Sequence, residues 1–266
     1  MKTTAGTVMD FLESIAPLDR QEAYDNSGLI VGSPDQFVTG VMTCLDCTED
    51  VLDEAISKGC NMVVAHHPPV FGGLKRITGA TPTERVVIKA IRHHLVLYAI
   101  HTNLDNTLAH GVNERIARRL GLDIDGVLRP MAGSSDPGTG AGLVGYFPQP
   151  MTEAEFLAHL RGAMRTPVVR HTPLTDRKIK RVAVCGGSGS FLLPDALRSG
   201  VEAFVTADIK YHQFFDADGR ILVCDIGHYE SEQFTVGLLQ ELISRNFTNF
   251  AAHCTEMDTN PVRYHY

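Results

Sequence analysis

No stretch of this sequence stays apolar for the roughly 20 residues that a membrane-spanning helix needs, so no membrane association is expected. Residues Met1 to Asp10 lack a basic patch followed by an apolar core, which argues against a secretory signal. Positive charge is not in excess: 24 Lys and Arg face 31 Asp and Glu, for a net charge of -7 and a pI near 5.9. Such a chain offers phosphates no basic field, so nucleic acid is not an expected general partner. Internal repeats are absent, and the only biased tract is the glycine-rich loop Gly133 to Gly142. Six cysteines are scattered, with a single CxxC at Cys44 and Cys47 and no second one to complete a zinc site. Cys44 falls inside an expected strand, so the reading is reduced thiols in a cytoplasmic protein, not a structural zinc or a redox pair.

What is present is an ordinary globular chain. Its 266 residues, 44% hydrophobic and 21% charged, suffice for one large α/β domain or two smaller ones. Thr4 to Ile15 reads as an amphipathic helix stopped by Pro17, and Asp25-Asn26-Ser27-Gly28 as a turn before a short strand, Leu29 to Gly32. Strands are expected at Val38 to Leu45, Asn61 to Ala65 and Leu95 to Ile100. Between them lie a helix capped by Thr48 and one opened by the capping box Thr81-Pro82-Thr83-Glu84. A further helix is expected from about Leu108 to Leu120. This alternation of strand and helix implies βαβ units and a parallel sheet.

Composition changes at Gly126. Strands are expected at Leu143 to Phe147, Val168 to His171, Ile179 to Cys185, Ala203 to Thr206 and Ile221 to Ile226. Helices are expected from Glu153 to Met164, behind a capping box at Thr152 and Glu155, and from Pro194 to Ser199. The fold class is therefore α/β, a two-lobed sandwich in which residues 126–227 form a second lobe inserted into a first made of 1–125 and 228–266.

Three expected strands end in side chains able to bind metal, where ligands collect in α/β sheets. His66 and His67 follow one strand, with Pro68 and Pro69 to stiffen their loop. His101 follows another, with Asp105 four residues on. His228 follows the third and opens a helix expected to run to about Ile243, so Glu232 lies on the same face. A mixed set of imidazoles and carboxylates suits two divalent ions of zinc, iron or manganese better than magnesium or calcium. Two such ions against two carboxylates leave a formal surplus of +2, which favours a small anionic substrate. Glu232 is the expected bridge. His93-His94 reads as a helix C-terminus, where the dipole favours it. His110, His159, His171, His253 and His265 have no such surroundings.

Two further stretches follow strands. Cys185-Gly186-Gly187-Ser188-Gly189-Ser190 lacks the ending of a nucleotide P-loop, and reads either as an anion cradle or as a tight strand-to-helix turn. Thr206 to His212 places Asp208 and His212 four apart, where they would orient a ligand or move a proton, or else form a surface pair.

His66-His67-Pro68-Pro69-Val70-Phe71, His101 to Asn106, Thr206 to His212 and Gly227 to Glu232 occur in the order seen in a known family. The chain resembles the dinuclear-metal-centre family labelled GTP cyclohydrolase 1 type 2 homologue, also called NGG-interacting-factor-three-like. Asp25 to Leu29 and Cys185 to Gly189 resemble its other signatures, while Ala207 stands where the family usually has glycine. The resemblance covers about residues 5–260. It implies metals in a cleft between two lobes, a ring-shaped homohexamer, and metal ligands at His66, His67, Asp105, His228 and Glu232. At 266 residues the chain resembles the short form, without the inserted domain of about a hundred residues that longer members carry. The family label implies hydrolytic opening of the guanine imidazole ring of GTP, with formate released and His101, Asp208 or His212 carrying protons. Two alternatives keep the metals: a phosphoesterase, and a ring that binds metal or acts as a scaffold without catalysis.

Overall fold

The computed structural model describes residues 2–265. The chain divides into two compact units, Met1–Leu104 with Thr235–Arg263, and Asp105–Phe234 with Tyr264–Tyr266. The inserted unit is longer than the sequence reading of 126–227. Its extra residues include a strand that pairs within its sheet (Asp123–Pro130) and the helix that begins at His228. The outer ends of the expected first lobe, residues 1 and 266, lie outside the described residues.

The first unit opens with α1 (Ala5–Ile15), whose N-cap Thr4 accepts a hydrogen bond from the Thr7 N–H. There follow β1 (Gly28–Val31), β2 (Gly40–Cys44), α2 (Glu49–Ser57), β3 (Met62–Ala65), α3 (Pro82–Arg92) and β4 (Val96–Ala99). Glu49 and Asp50 occupy the first turn of α2, where carboxylates meet the positive end of the helix dipole. Only half of the capping box expected at α3 forms. The Thr81 hydroxyl accepts from the Glu84 N–H, but the Glu84 carboxylate turns back to Thr78 N–H and Oγ1 and to Ala80 N–H. The loop before the helix outcompetes the cap for that carboxylate, because it offers three donors instead of one.

The short α4 (Thr102–Asp105) leads into the second unit: α5 (Val112–Leu120), β5 (Asp123–Pro130), β6 (Gly140–Thr152), α6 (Glu153–Met164), β7 (Arg170–His171) and β8 (Lys178–Ser188). Then come α7 (Leu193–Ser199), β9 (Ala203–Ala207), β10 (Leu222–Asp225) and α8 (His228–Glu232). At α6 the capping box is complete, with Thr152 and Glu155 each accepting from the other's N–H. The chain returns to the first unit as α9 (Thr235–Asn246) and β11 (Ala251–Cys254). The single helix expected from His228 to Ile243 is therefore two. The break falls at Gln233 and Phe234, both anchored elsewhere: Gln233 donates to the Met164 carbonyl, and the Phe234 ring lies under the Arg119 and Arg165 guanidinium groups.

The first sheet has the order β1-β4-β3-β2-β11, parallel except for β1. Its central strands are buried on both faces, so they read as continuous apolar runs. The second sheet, β5-β6-β8-β9-β10-β7, is mixed, with β8, β9 and β10 parallel. Met42, Leu52, Val63, Val86 and Leu97 belong to one core, and Ala183, Leu193, Phe204 and Val223 to the other. Each fully buried Val, Leu, Met or Phe side chain among them contributes about 2 kcal/mol. Among the described residues, no helix is long and apolar enough to cross a membrane.

Candidate metal centre

Sheet register builds the first cluster. Cys44, Ala65 and Ala99 are neighbours at the C-terminal ends of β2, β3 and β4. Hydrogen bonds continue past those ends: His66 N–H to the Cys44 carbonyl (3.0 Å), His67 N–H to Leu45 (2.9 Å) and Ile100 N–H to Ala65 (3.0 Å). The chain is thereby held straight for one more residue, and Asp46, His66, His67 and His101 emerge side by side. Because β1 runs antiparallel with Gly28 opposite Ala99, Asp25 arrives at the same edge from the other direction.

The three imidazoles of this unit form a near-equilateral triangle, with ring centroids 5.0, 5.3 and 5.4 Å apart. One ligand atom from each lies within 4.8 Å of the other two. Every ring is oriented through Nδ1. His66 Nδ1 donates to the Ile100 carbonyl (2.9 Å), His67 Nδ1 to Asp46 Oδ1 (2.7 Å) and His101 Nδ1 to Asp25 Oδ1 (2.8 Å). Carbonyl and carboxylate oxygens only accept, so each Nδ1 carries a proton, and Nε2 is the nitrogen that could serve as a metal ligand. Asp25 is itself saturated: it also accepts from the Asn26 N–H, Ser27 Oγ, and the Thr102 N–H and hydroxyl. Burial alone would raise its pKa. The donors from His101 and Thr102 outweigh that and hold it well below the usual carboxylate range.

The second unit repeats the arrangement. Asp208 follows β9, and Gly227 turns the chain from β10 into α8, with the four-residue spacing setting His228 Nε2 3.1 Å from Glu232 Oε2. Gly227 has φ +91°, a conformation that glycine alone adopts cheaply. His228 Nδ1 donates to Asp208 Oδ2 at 2.7 Å. Burial would lower the His228 pKa, but the two carboxylates prevail and push it up to about 11, while His228 in turn draws Asp208 down. Glu232 is buried, and its carboxylate and that of Asp105 each offer an oxygen within 4.8 Å of the other. The buried Asn113 ties this neighbourhood together, donating to the Asp105 carbonyl and accepting from the Gly186 N–H, both at 3.0 Å.

The glycine-rich stretch resolves as a close approach, not an anion cradle. The Gly186 and Gly187 N–H groups are spent on Asn113 Oδ1 and Ser231 Oγ. Gly187 has φ +62°, and a Cβ there would overlap the Glu232 carboxylate. The pair Asp208 and His212 does not form either. Asp208 sits in the left-handed region (φ +56°) and turns to His228, so no helix links the two. His212 is exposed and packs its ring against Tyr211 and Phe215.

The donor chemistry suits a divalent metal, with three imidazoles oriented through Nδ1 in one unit and an imidazole and two carboxylates in the other. Cys44 and Cys47 are buried free thiols, and the hydrogen bond with Cys47, together with burial, raises Cys44 well above an ordinary thiol. Three contributors escaped the sequence reading. Asp25 looked like turn chemistry, Asn113 like a helix residue, and Asp46 carried one usable signal, its place just beyond a strand end.

The model of the Duf34/NIF3 (NGG1p interacting factor 3) family matches residues 3–261. A Clostridium acetobutylicum protein named GTP cyclohydrolase 1 type 2 homolog is 35% identical over 224 residues, covering 84% of this chain and 83% of its own. A Streptomyces coelicolor protein of the same name is 30% identical over 268 residues, covering 97% and 93%. The crystal structure of Staphylococcus aureus hypothetical protein SA1388 superposes with a TM-score of 0.93 at 30% identity, covering 99% of this chain and 100% of that one. Over nearly its whole length, in sequence and in fold, the chain belongs to the Duf34/NIF3 family.

Proposed function

We propose that this protein holds two divalent ions through His66, His67, Asp105, His228 and Glu232, and is a hydrolase acting on a nucleotide. The observation that carries the metal part is the shared orientation of its histidines: His66, His67 and His228 each spend Nδ1 on an oxygen, which makes Nε2 the nitrogen that would face a metal. Zinc, iron and manganese all suit such a nitrogen and oxygen set. Bound divalent ions supply Lewis acidity and lower the pKa of water, the chemistry that hydrolysis needs at neutral pH. The protein's part is orientation. Asp46 and Asp208 fix two imidazoles, and Gly187 lets the end of β8 come up against Glu232, the proposed bridge.

The name carried by its relatives supports ring opening of GTP as the reaction. A surplus of positive charge at a two-ion site with two carboxylates supports an anionic substrate. A ring-shaped homohexamer is part of the same reading, supported by the family resemblance alone. Light scattering on the purified protein tests it, and a monomer would remove it.

Metal content per chain by elemental mass spectrometry is the test of the site, on wild type and on Glu232→Ala. About two ions in wild type and clearly fewer in the variant are expected. Formate release from GTP then tests the reaction: release by wild type but not by Glu232→Ala is expected, and equal release by both would sink it. Two ions bound with no turnover of nucleotides or phosphate esters would leave a metal-binding ring and remove the hydrolase.

A further inference from the structure

Resting on the metal-binding reading above, we propose that Thr259, in the segment that follows β11, is a positioning residue of the metal centre: it fixes Asp46, and through Asp46 the ring of His67. Thr259 Oγ1 donates to Asp46 Oδ2 at 3.1 Å, while Asp46 Oδ1 accepts from His67 Nδ1 at 2.7 Å. A hydroxyl, a carboxylate and an imidazole thus stand in line, with the carboxylate held at both oxygens. The same chain of groups also occurs at Asp25, whose Oδ1 accepts from His101 Nδ1 and whose Oδ2 accepts from the Thr102 hydroxyl. A carboxylate bonded at one oxygen alone can swing about its Cβ–Cγ bond and take the ring with it, whereas a second donor fixes its plane. The need is greater at Asp46. Its side chain is 37% exposed, against 0% for Asp25, so water competes for the Asp46 carboxylate.

The segment that carries Thr259 is held by polar contacts and contributes to neither core. No residue from Thr255 to His265 is buried, so burial of apolar surface does not account for its course. Specific hydrogen bonds do. The Thr255 N–H bonds to the Thr43 carbonyl at 2.9 Å, extending the parallel pairing of β11 with β2. The Glu54 carboxylate, on α2, then accepts from the Thr255 hydroxyl at 2.5 Å and from the Glu256 N–H at 3.1 Å. Farther on the chain folds onto itself: Asp258 Oδ1 accepts from the Asn260 N–H, and Asn260 Oδ1 from the Val262 N–H, both at 3.0 Å. Thr259 lies half-buried inside that turn, which Pro261 stiffens, so a pre-formed backbone presents its hydroxyl. Register does the rest. β2 leads to Asp46 and β11 leads to Thr259, and the pairing that sets Cys254 beside Thr43 brings the two side chains within reach.

The test is zinc affinity against a competing chelator, measured on the full chain after its metal has been stripped. Thr259→Val keeps the shape of the side chain and removes the hydroxyl. Zinc should bind it about 3- to 10-fold more weakly, less than the roughly 10- to 100-fold expected of Asp46→Ala, whose carboxylate touches the ring. Thr259→Ser restores the hydroxyl and should bind zinc as wild type does. A double variant decides the route: if Thr259 acts through Asp46, adding Thr259→Val to Asp46→Ala should weaken binding no further. A purely structural Thr259 would weaken both backgrounds alike, and that result overturns the inference. A loss in Thr259→Ser as large as that in Thr259→Val also overturns it. Wild type that takes up no zinc would defeat the metal reading as a whole. Zinc bound equally well by wild type and Thr259→Val would defeat the present inference alone.

Discussion

Two carboxylate–histidine pairs of identical chemistry sit in very different settings. Asp25 and His101, in the first unit, have side chains 0% and 12% exposed; Asp208 and His228, in the second, are 50% and 39% exposed. Asp25 accepts from backbone and hydroxyl donors on both sides of the chain it joins, so it holds the loop before β1 to the end of β4 while it orients a ring. Asp208 serves His228 from an exposed left-handed turn. One pair is therefore part of the fold as well as the site, and the other belongs to the site alone. Burial decides the difference: a carboxylate that collects several buried donors cannot leave without stranding them.

Removing the two carboxylates should separate these roles. Asp25→Ala should cost about 4 kcal/mol, from several stranded donors, read as a fall in the urea midpoint at unchanged slope. An unfolding curve like that of wild type would erase the distinction. The same pair sets a pH limit. Because the folded pKa of Asp25 is depressed, its contribution is full above about pH 4, the unfolded carboxylate value. It is lost only as pH falls further, through the folded value.

The next largest effect is expected at Gly187→Ala, which combines a left-handed backbone with overlap onto Glu232. About 2–3 kcal/mol of strain should appear in thermal unfolding, with weaker metal binding through Glu232. Metal affinity equal to that of wild type would show that Gly187 does not serve Glu232. Asp208→Ala should leave stability within about 1 kcal/mol and weaken metal binding through His228 by about 10- to 100-fold, measured by chelator competition. A stability loss as large as that of Asp25→Ala would overturn the contrast. Smallest is Thr152→Ala, which removes a complete capping box far from either cluster in sequence. It should cost about 1 kcal/mol and leave metal content unchanged.

Much of this was legible in the chain. His66, His67 and His101 stand just past apolar runs, and a parallel sheet brings such ends together whatever its details. The helix Glu153–Met164 matches its expected bounds, because a full capping box and a hydrophobic face agree on both ends. Where the reading failed, a local signal lost to a distant partner. Glu84 left its cap for Thr78 and Ala80, Asp208 ignored His212 for His228, and the helix after His228 broke where Gln233 and Phe234 found partners far along the chain.

By itself, then, the sequence determined the alternation of strand and helix, the residue types able to hold metal and the strand ends that carry them. Those features rest on interactions within a few residues, which periodicity and capping record. Only the tertiary structure decided which carboxylate stands behind which histidine, and that a glycine-rich turn is needed to clear Glu232. Asp25 and His101 are joined across a sheet edge, and Gly187 and Glu232 across a whole unit, where packing and not sequence distance determines who meets whom.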